Sequence, residues 1–347
     1  MKTLFIIILV VSLPAASHAG INTEAIEAYF RITDSLKAKK VVSQRDWDRF
    51  FGLRGNAVFV HSAGKDSAEL KERFIRNVQL VYSEAVSSDL KPARDLMLAD
   101  IYFLRQHELG IRNFVRNIGH TDIVGKMYAE AYKYLPEKMR GKVEGLQVFY
   151  AAPVMPNAYA RANSIYINTA LEYRFITIRP GIVGSHELHH LLLRDRQFRD
   201  RTVTDGIILV AALKRTAREG IADLIDKKYL EALPDTTYSS LQQRQLALSS
   251  ALISDFNKEV EKWAFLALPG RQVGSRMFKL RWGHTPGYYM ARVIEKNGLL
   301  TQLIQSIDNP FQFVYIYNEA ARLDPAQAPR FSDAAIRLLK DIEHRFY

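Results

Sequence analysis

The chain of 347 residues contains no cysteine. That excludes a disulfide scaffold, a thiol nucleophile, thiolate metal ligands and a lipid-modified N-terminus, which needs a Cys at the processing point. Any metal must therefore be held by His, Asp or Glu. Beyond the N-terminus there is also no long apolar run. The longest candidate, Gly206 to Leu213, stops at Lys214 and Arg215, short of the roughly eighteen apolar residues that a spanning helix requires. Fixed-period repeats, low-complexity tracts and a pooled Gly/Pro linker are missing, which removes solenoid and collagen-like architectures. No basic run carries interleaved aromatics of the kind that binds single-stranded nucleic acid, so nucleic acid is not an expected partner.

What is present begins with MKTLFIIILVVSLPAASHA, one Lys followed by an apolar stretch and small residues at Ser17 and Ala19. Residues 1–19 read as a secretory signal cut before Gly20, so an exported protein is expected, periplasmic or secreted. The rest is 48% hydrophobic over the whole length, enough for a sizeable core in one large domain or two moderate ones. The formal charge is +11, or +10 without the leader and its single Lys, which favours attraction to anionic envelope surfaces or acidic peptides.

From Thr23 to Pro136 the apolar periodicity is helical. Ser43 is placed to cap a short helix over DWDRFF, and Leu70, Phe74, Val78 and Val81 form one stripe of a longer helix starting at Asp66 or Ser67. After Gly141 the character changes: GLQVFYAAP and NSIYINTALEYRFITI are rich in β-formers and predict two or three strands. Helical patterns then resume, including one from about Ala211 to Leu230, and run to Tyr347. Helices, a few strands, then helices give an α+β class that is predominantly α-helical. The small sheet should lie next to the helix that carries HELHH. The expected organisation is a helical N-terminal region over residues 20–140 and a catalytic region over 141–347.

Three of the nine histidines fall in HELHH at residues 186–190. On a helix His186 and His190 project from one face and can reach one ion, while Glu187 lies one step round, where it can hold a water as general base. Two imidazoles with carboxylate support suit zinc better than magnesium or calcium. A catalytic zinc site needs a third protein ligand. Twenty-nine positions beyond His190, REGIADLIDKK places Glu219 and Asp223 four apart on a helix. Like charges at that spacing repel on an ordinary surface. They make sense if Glu219 binds the metal and Asp223 accepts the free ring N–H of a ligand histidine. The bland alternative is a solvated face on which Arg215 pairs with Glu219 and Lys227 with Asp223. Asp205 is an alternative third ligand. The positions at which a metzincin would carry Gly and a third His are Leu193 and Arg196. His189 is expected to pack or to support the ligands.

HELHH followed by EGIAD resembles the gluzincin group of zinc metallopeptidases, to which thermolysin belongs. The chain is similar to uncharacterised bacterial families of zinc-dependent peptidases with an exported, largely helical chain. The specific likeness covers about Gly181 to Tyr229. The resemblance implies one zinc on His186, His190 and Glu219, Glu187 as general base and acid, Asp223 as support, and a peptide or protein substrate. It implies a strand edge ahead of the active-site helix that pairs with extended substrate, for which Ser164 to Thr169 is the matching segment. It also implies an oxyanion donor from the C-terminal half, with His284, Tyr288 and Tyr289 as candidates. The rival readings are a zinc-dependent amidase on cell-wall peptides and a non-catalytic metal-binding envelope protein.

Overall fold

The computed structural model describes residues 20–82, 95–197, 206–233, 236–266 and 283–347. Residues 1–19, expected to be a leader, and Asp205 lie outside the described residues. A short strand β1 (Gly20–Asn22) opens the chain and seven helices follow: α1 (Glu24–Lys37), α2 (Gln44–Gly52), α3 (Arg54–Ser62), α4 (Ser67–Tyr82), α5 (Leu96–Gln106), α6 (Glu108–Asn117) and α7 (Ile123–Tyr132). Strands β2 (Gln147–Ala151), β3 (Ala158–Arg161) and β4 (Ser164–Asn168) come next. The remainder is helical: α8 (Thr169–Phe175), α9 (Ile182–Leu192), α10 (Ile207–Asp226), α11 (Thr236–Leu266), α12 (His284–Lys296), α13 (Leu300–Gln305), α14 (Pro310–Leu323) and α15 (Asp333–Phe346). The α+β, mainly helical class is the one the sequence pattern indicates. No described helix is long and apolar enough to cross a membrane.

Local signals set several boundaries. Ser43 caps α2 in a reciprocal box with Asp46, so two otherwise orphaned donors are satisfied at the helix start. In α4 the stripe of Phe74, Val78 and Val81 is fully buried. Phe74 stacks on Phe50 of α2 at 5.4 Å and meets Tyr29 of α1 edge-on at 6.4 Å, which joins α1, α2 and α4 in one aromatic cluster.

The sheet order is β1-β2-β4-β3, with β1, β2 and β4 parallel and β3 antiparallel to β4. This corrects one expectation. Ser164 to Thr169 offers no strand edge, because β4 is bonded on both sides, by β2 and by β3. The free edge beside the later helices is β3. Its four residues alternate between partly buried and exposed positions, with Tyr159 40% exposed.

Alternation along the strands divides their side chains between two covers. Tyr166 stacks on Phe149 at 4.9 Å, and Arg54 of α3 lies 4.7 Å over that ring, so the N-terminal helices close one face. The neighbouring Ile167 points the other way and meets α9 at Gly184, where a Cβ would come 3.0 Å from its Cδ1 and 2.5 Å from Met127 Cε. Glycine here lets α9 lie against β4 and α7. At the end of β4, Asn168 caps α8 and donates to buried Asp100 at 2.6 Å. Arg174 and Tyr238 complete that carboxylate's shell at 2.8 Å each, tying α5, β4, α8 and α11 together.

Candidate metal centre

α9 starts at Gly181, whose φ of +87° is left-handed and whose missing Cβ would stand 3.1 Å from the Ile123 carbonyl. Every residue from Ile182 to His189 is buried. α9 packs against β3, β4, α7, α8 and α10, so His186 and Glu187 are buried, while His190 keeps 15% of its side chain exposed.

His186 and His190 project from one face, with their Nε2 atoms 3.1 Å apart. α10 crosses this face and brings Glu219 Oε2 to 3.0 Å from His190 Nε2 and 3.7 Å from His186 Nε2. These three donor atoms lie within 4.8 Å of one another, a spacing that can hold one metal ion. Burial alone would raise the Glu219 pKa, but hydrogen bonds accepted from His186 and His190 and the charges of His190 and His284 hold it well below the carboxylate range. Burial pushes Glu187 up, against the opposing influence of His186 and His190.

Neither curated proteins nor solved structures give a match. Residues 47–326 match the family described as "Putative zinc dependent peptidase (DUF5700)". The chain belongs to this family. Its description agrees with a His/Glu cluster able to hold a metal and implies a peptide or protein substrate.

In this member of the DUF5700 family the support of His186 differs from the sequence expectation. Its Nδ1 lies 3.1 Å from Asp226 Oδ1 and 3.6 Å from Asp223 Oδ1. Asp226, which the sequence reading passed over, is the nearer acceptor. The available signal was its position seven residues after Glu219, two turns along the same helix face. Asp223 instead meets His284 Nδ1 at 3.1 Å. Lys227 sits 2.6 Å from Asp226 and 3.7 Å from Asp223, so the Lys227–Asp223 pairing of the solvated-face alternative exists, although the Asp223 carboxylate is buried. Asp226 is buried, which raises its pKa, but Lys227 and His186 together draw it far below its ordinary value.

His186, Asp223 and His284 form a second group of three potential ligands. It shares His186 with the first group, but through an Nδ1 already engaged by Asp226, and the Lys227 ammonium lies 3.7 Å from Asp223 Oδ1. Cation binding is therefore better served by the first group.

Of the three residues proposed from the C-terminal half, the structure brings His284 to the cluster, with Nε2 3.5 Å from Glu219 Oε2. The Tyr288 hydroxyl is buried, and burial raises its pKa. Tyr289 is half-buried, and burial together with the Asp324 charge raises its pKa. His189, left open by the sequence, points away from the other two histidines: its Nε2 lies 3.2 Å from the Tyr134 carbonyl. Burial pushes it down to about 3, so it is neutral and its N–H ties α9 to the segment after α7. Arg218 donates to the His190 carbonyl at 3.1 Å and to Asp195 at 3.1 Å, satisfying the C-terminal end of α9. The cavity of about 1040 Å³ between α14 and α15 is lined by Tyr315, Arg322, Lys340 and their neighbours and includes no member of this cluster.

His284 reaches the cluster because α10 and α12 cross at glycines. A Cβ on Gly220 would lie 2.3 Å from the Gly287 carbonyl carbon, and one on Gly287 would lie 2.2 Å from the Thr216 oxygen. Backbone cannot yield as a side-chain tip can. Gly220→Ala is expected to cost about 1–3 kcal/mol or more in urea unfolding, whereas Gly52→Ala, which meets nothing within 4 Å, should be close to neutral. Equal stabilities for the two variants would refute the tight crossing.

Proposed function

We propose that the chain is a zinc-dependent peptidase of the gluzincin type, in which His186, His190 and Glu219 hold one zinc ion and Glu187 moves protons. The observation that carries this reading is the arrival of Glu219, from a separate helix, 3.0 Å from His190 Nε2. The donor chemistry fits zinc: two imidazole nitrogens and one carboxylate oxygen, with His186 Nδ1 engaged by Asp226 so that Nε2 presents its lone pair. Zinc in such a set polarises a scissile carbonyl and lowers the pKa of water.

The remaining chemistry belongs to the protein. Glu187, raised by burial, takes a proton from the attacking water and returns it to the leaving amine. His284 donates through Nε2 to the developing oxyanion. Burial opposes its protonated form, but Asp223 raises its pKa and favours the imidazolium, so Nε2, 3.5 Å from Glu219 Oε2, carries a proton to donate while Nδ1–H bonds Asp223. An extended substrate would add to β3, the free edge packed beside α9. The leader supports action outside the cytoplasm.

Two outcomes are expected. Glu187→Gln should keep zinc, measured by metal analysis, and lose peptide hydrolysis by at least about a hundredfold; a variant that cleaves as fast as the parent would end the catalytic reading in favour of a non-catalytic metal protein. The contribution of His284 is present below its raised pKa and is lost as pH rises through it. His284→Ala should therefore lower kcat about 10²–10³-fold and remove the basic limb of the kcat/KM profile. A basic limb that persists unchanged would assign it to another group.

A further inference from the structure

We infer that Glu172 is a positioning residue that fixes the entry of the metal-binding helix and so the placement of His186. The inference rests on the zinc peptidase reading for its consequence, though its geometry does not depend on that reading.

A helix begins with backbone N–H groups that have no partner within the helix, and the capping residue's own side chain ordinarily accepts one of them. At the start of α9 that residue is Gly181, which has no side chain. The acceptor comes from α8, nine residues earlier. Glu172 is completely buried, its Oε1 accepts the Gly181 N–H at 2.5 Å, and the N–H groups of Val183 and Gly184 also bond to its carboxylate. Among the described residues its other oxygen, Oε2, has no hydrogen-bond partner, nor has the buried hydroxyl of Tyr150, whose pKa is raised by burial and by the charge of Glu172.

A buried carboxylate is an expensive way to close a helix end. Burial raises Glu172 to about 7 even though three N–H groups oppose the shift, and the charge acting on it from Asp226 is of the same sign. A Ser or Asn at the cap would satisfy one N–H without that cost, but Gly181 cannot be exchanged freely, because its φ is left-handed and Ile123 crowds the missing Cβ. The carboxylate answers this constraint. It gathers the first turn from a neighbouring element, so α9 is fixed relative to α8 and not merely terminated. His186 follows Gly184 by two residues within the same buried helix. A shift at the first turn therefore reaches its imidazole and opens the distances to His190 and Glu219.

The test uses two variants of the full chain. Glu172→Gln keeps the length and an oxygen acceptor; Glu172→Asp keeps the charge but withdraws the acceptor by one methylene. Hydrogen exchange at Gly181, Val183 and Gly184 reads the cap itself, and competition with a chelator reads zinc affinity. Glu172→Asp is expected to speed exchange at these amides and to weaken zinc binding about tenfold or more, with kcat reduced and KM held. Glu172→Gln should restore both readouts to near the parent values. The inference is overturned if Glu172→Asp binds zinc as tightly as the parent, if its amides exchange no faster, or if Glu172→Gln is as defective as Glu172→Asp or does not fold. A parent that binds no zinc would defeat the peptidase reading instead, and the amide exchange would still decide whether Glu172 holds the helix.

Discussion

Four carboxylates, those of Glu187, Glu219, Asp223 and Asp226, converge on a part of the fold largely removed from water, and their charge must be balanced there. Unpaired ions in a protein interior are costly, and removing one partner of a buried pair leaves the other uncompensated. The balancing groups are His186, His190, His284 and Lys227, each within 4 Å of at least one of these acids. A divalent cation at the His186, His190 and Glu219 donors completes the compensation on the proposed reading. This electrostatic requirement explains why acids spaced four apart on α10, which would repel on an exposed helix, are stable where they lie.

The surrounding architecture delivers those groups to one place. Gly184 allows α9 to settle against β4 and α7, and Gly220 with Gly287 allows α10 and α12 to touch along their backbones. The first contact places His186 and His190. The second brings Glu219, Asp223 and His284 together. Both ends of α9 are held by charged side chains from other elements, Glu172 at the start and Arg218 at the finish. Rigidity of this kind suits a site whose ligands must already be aligned before substrate arrives.

Much of this was legible because helix periodicity is a strong constraint. The i, i+4 spacing of His186 with His190 and of Glu219 with Asp223 allowed two helix faces to be paired before any coordinates, and their convergence is what the structure contains. Other features depended on how elements rotate against each other. Spacing favoured Asp223 as the acceptor for a ligand histidine, yet α10 brings Asp226 to the His186 ring and Asp223 to His284. The identity of the exposed strand was equally hidden, since Ala158–Arg161 lacks an apolar pattern while the apolar Ser164–Asn168 proved to be internal. β1 pairs in parallel with β2 across more than a hundred residues, a non-local contact that no local pattern encodes. His189 illustrates the same limit: on the helix wheel it lies near the ligand face, but its partner is a carbonyl on a different element.

The central claim is that one zinc ion sits between α9 and α10. Anomalous scattering across the zinc absorption edge, from crystals of zinc-loaded protein, tests it most directly. The account predicts a single strong peak about 2.0–2.2 Å from His186 Nε2, His190 Nε2 and a Glu219 oxygen. A peak elsewhere, or an ion held by the two histidines with Glu219 turned away, would contradict it.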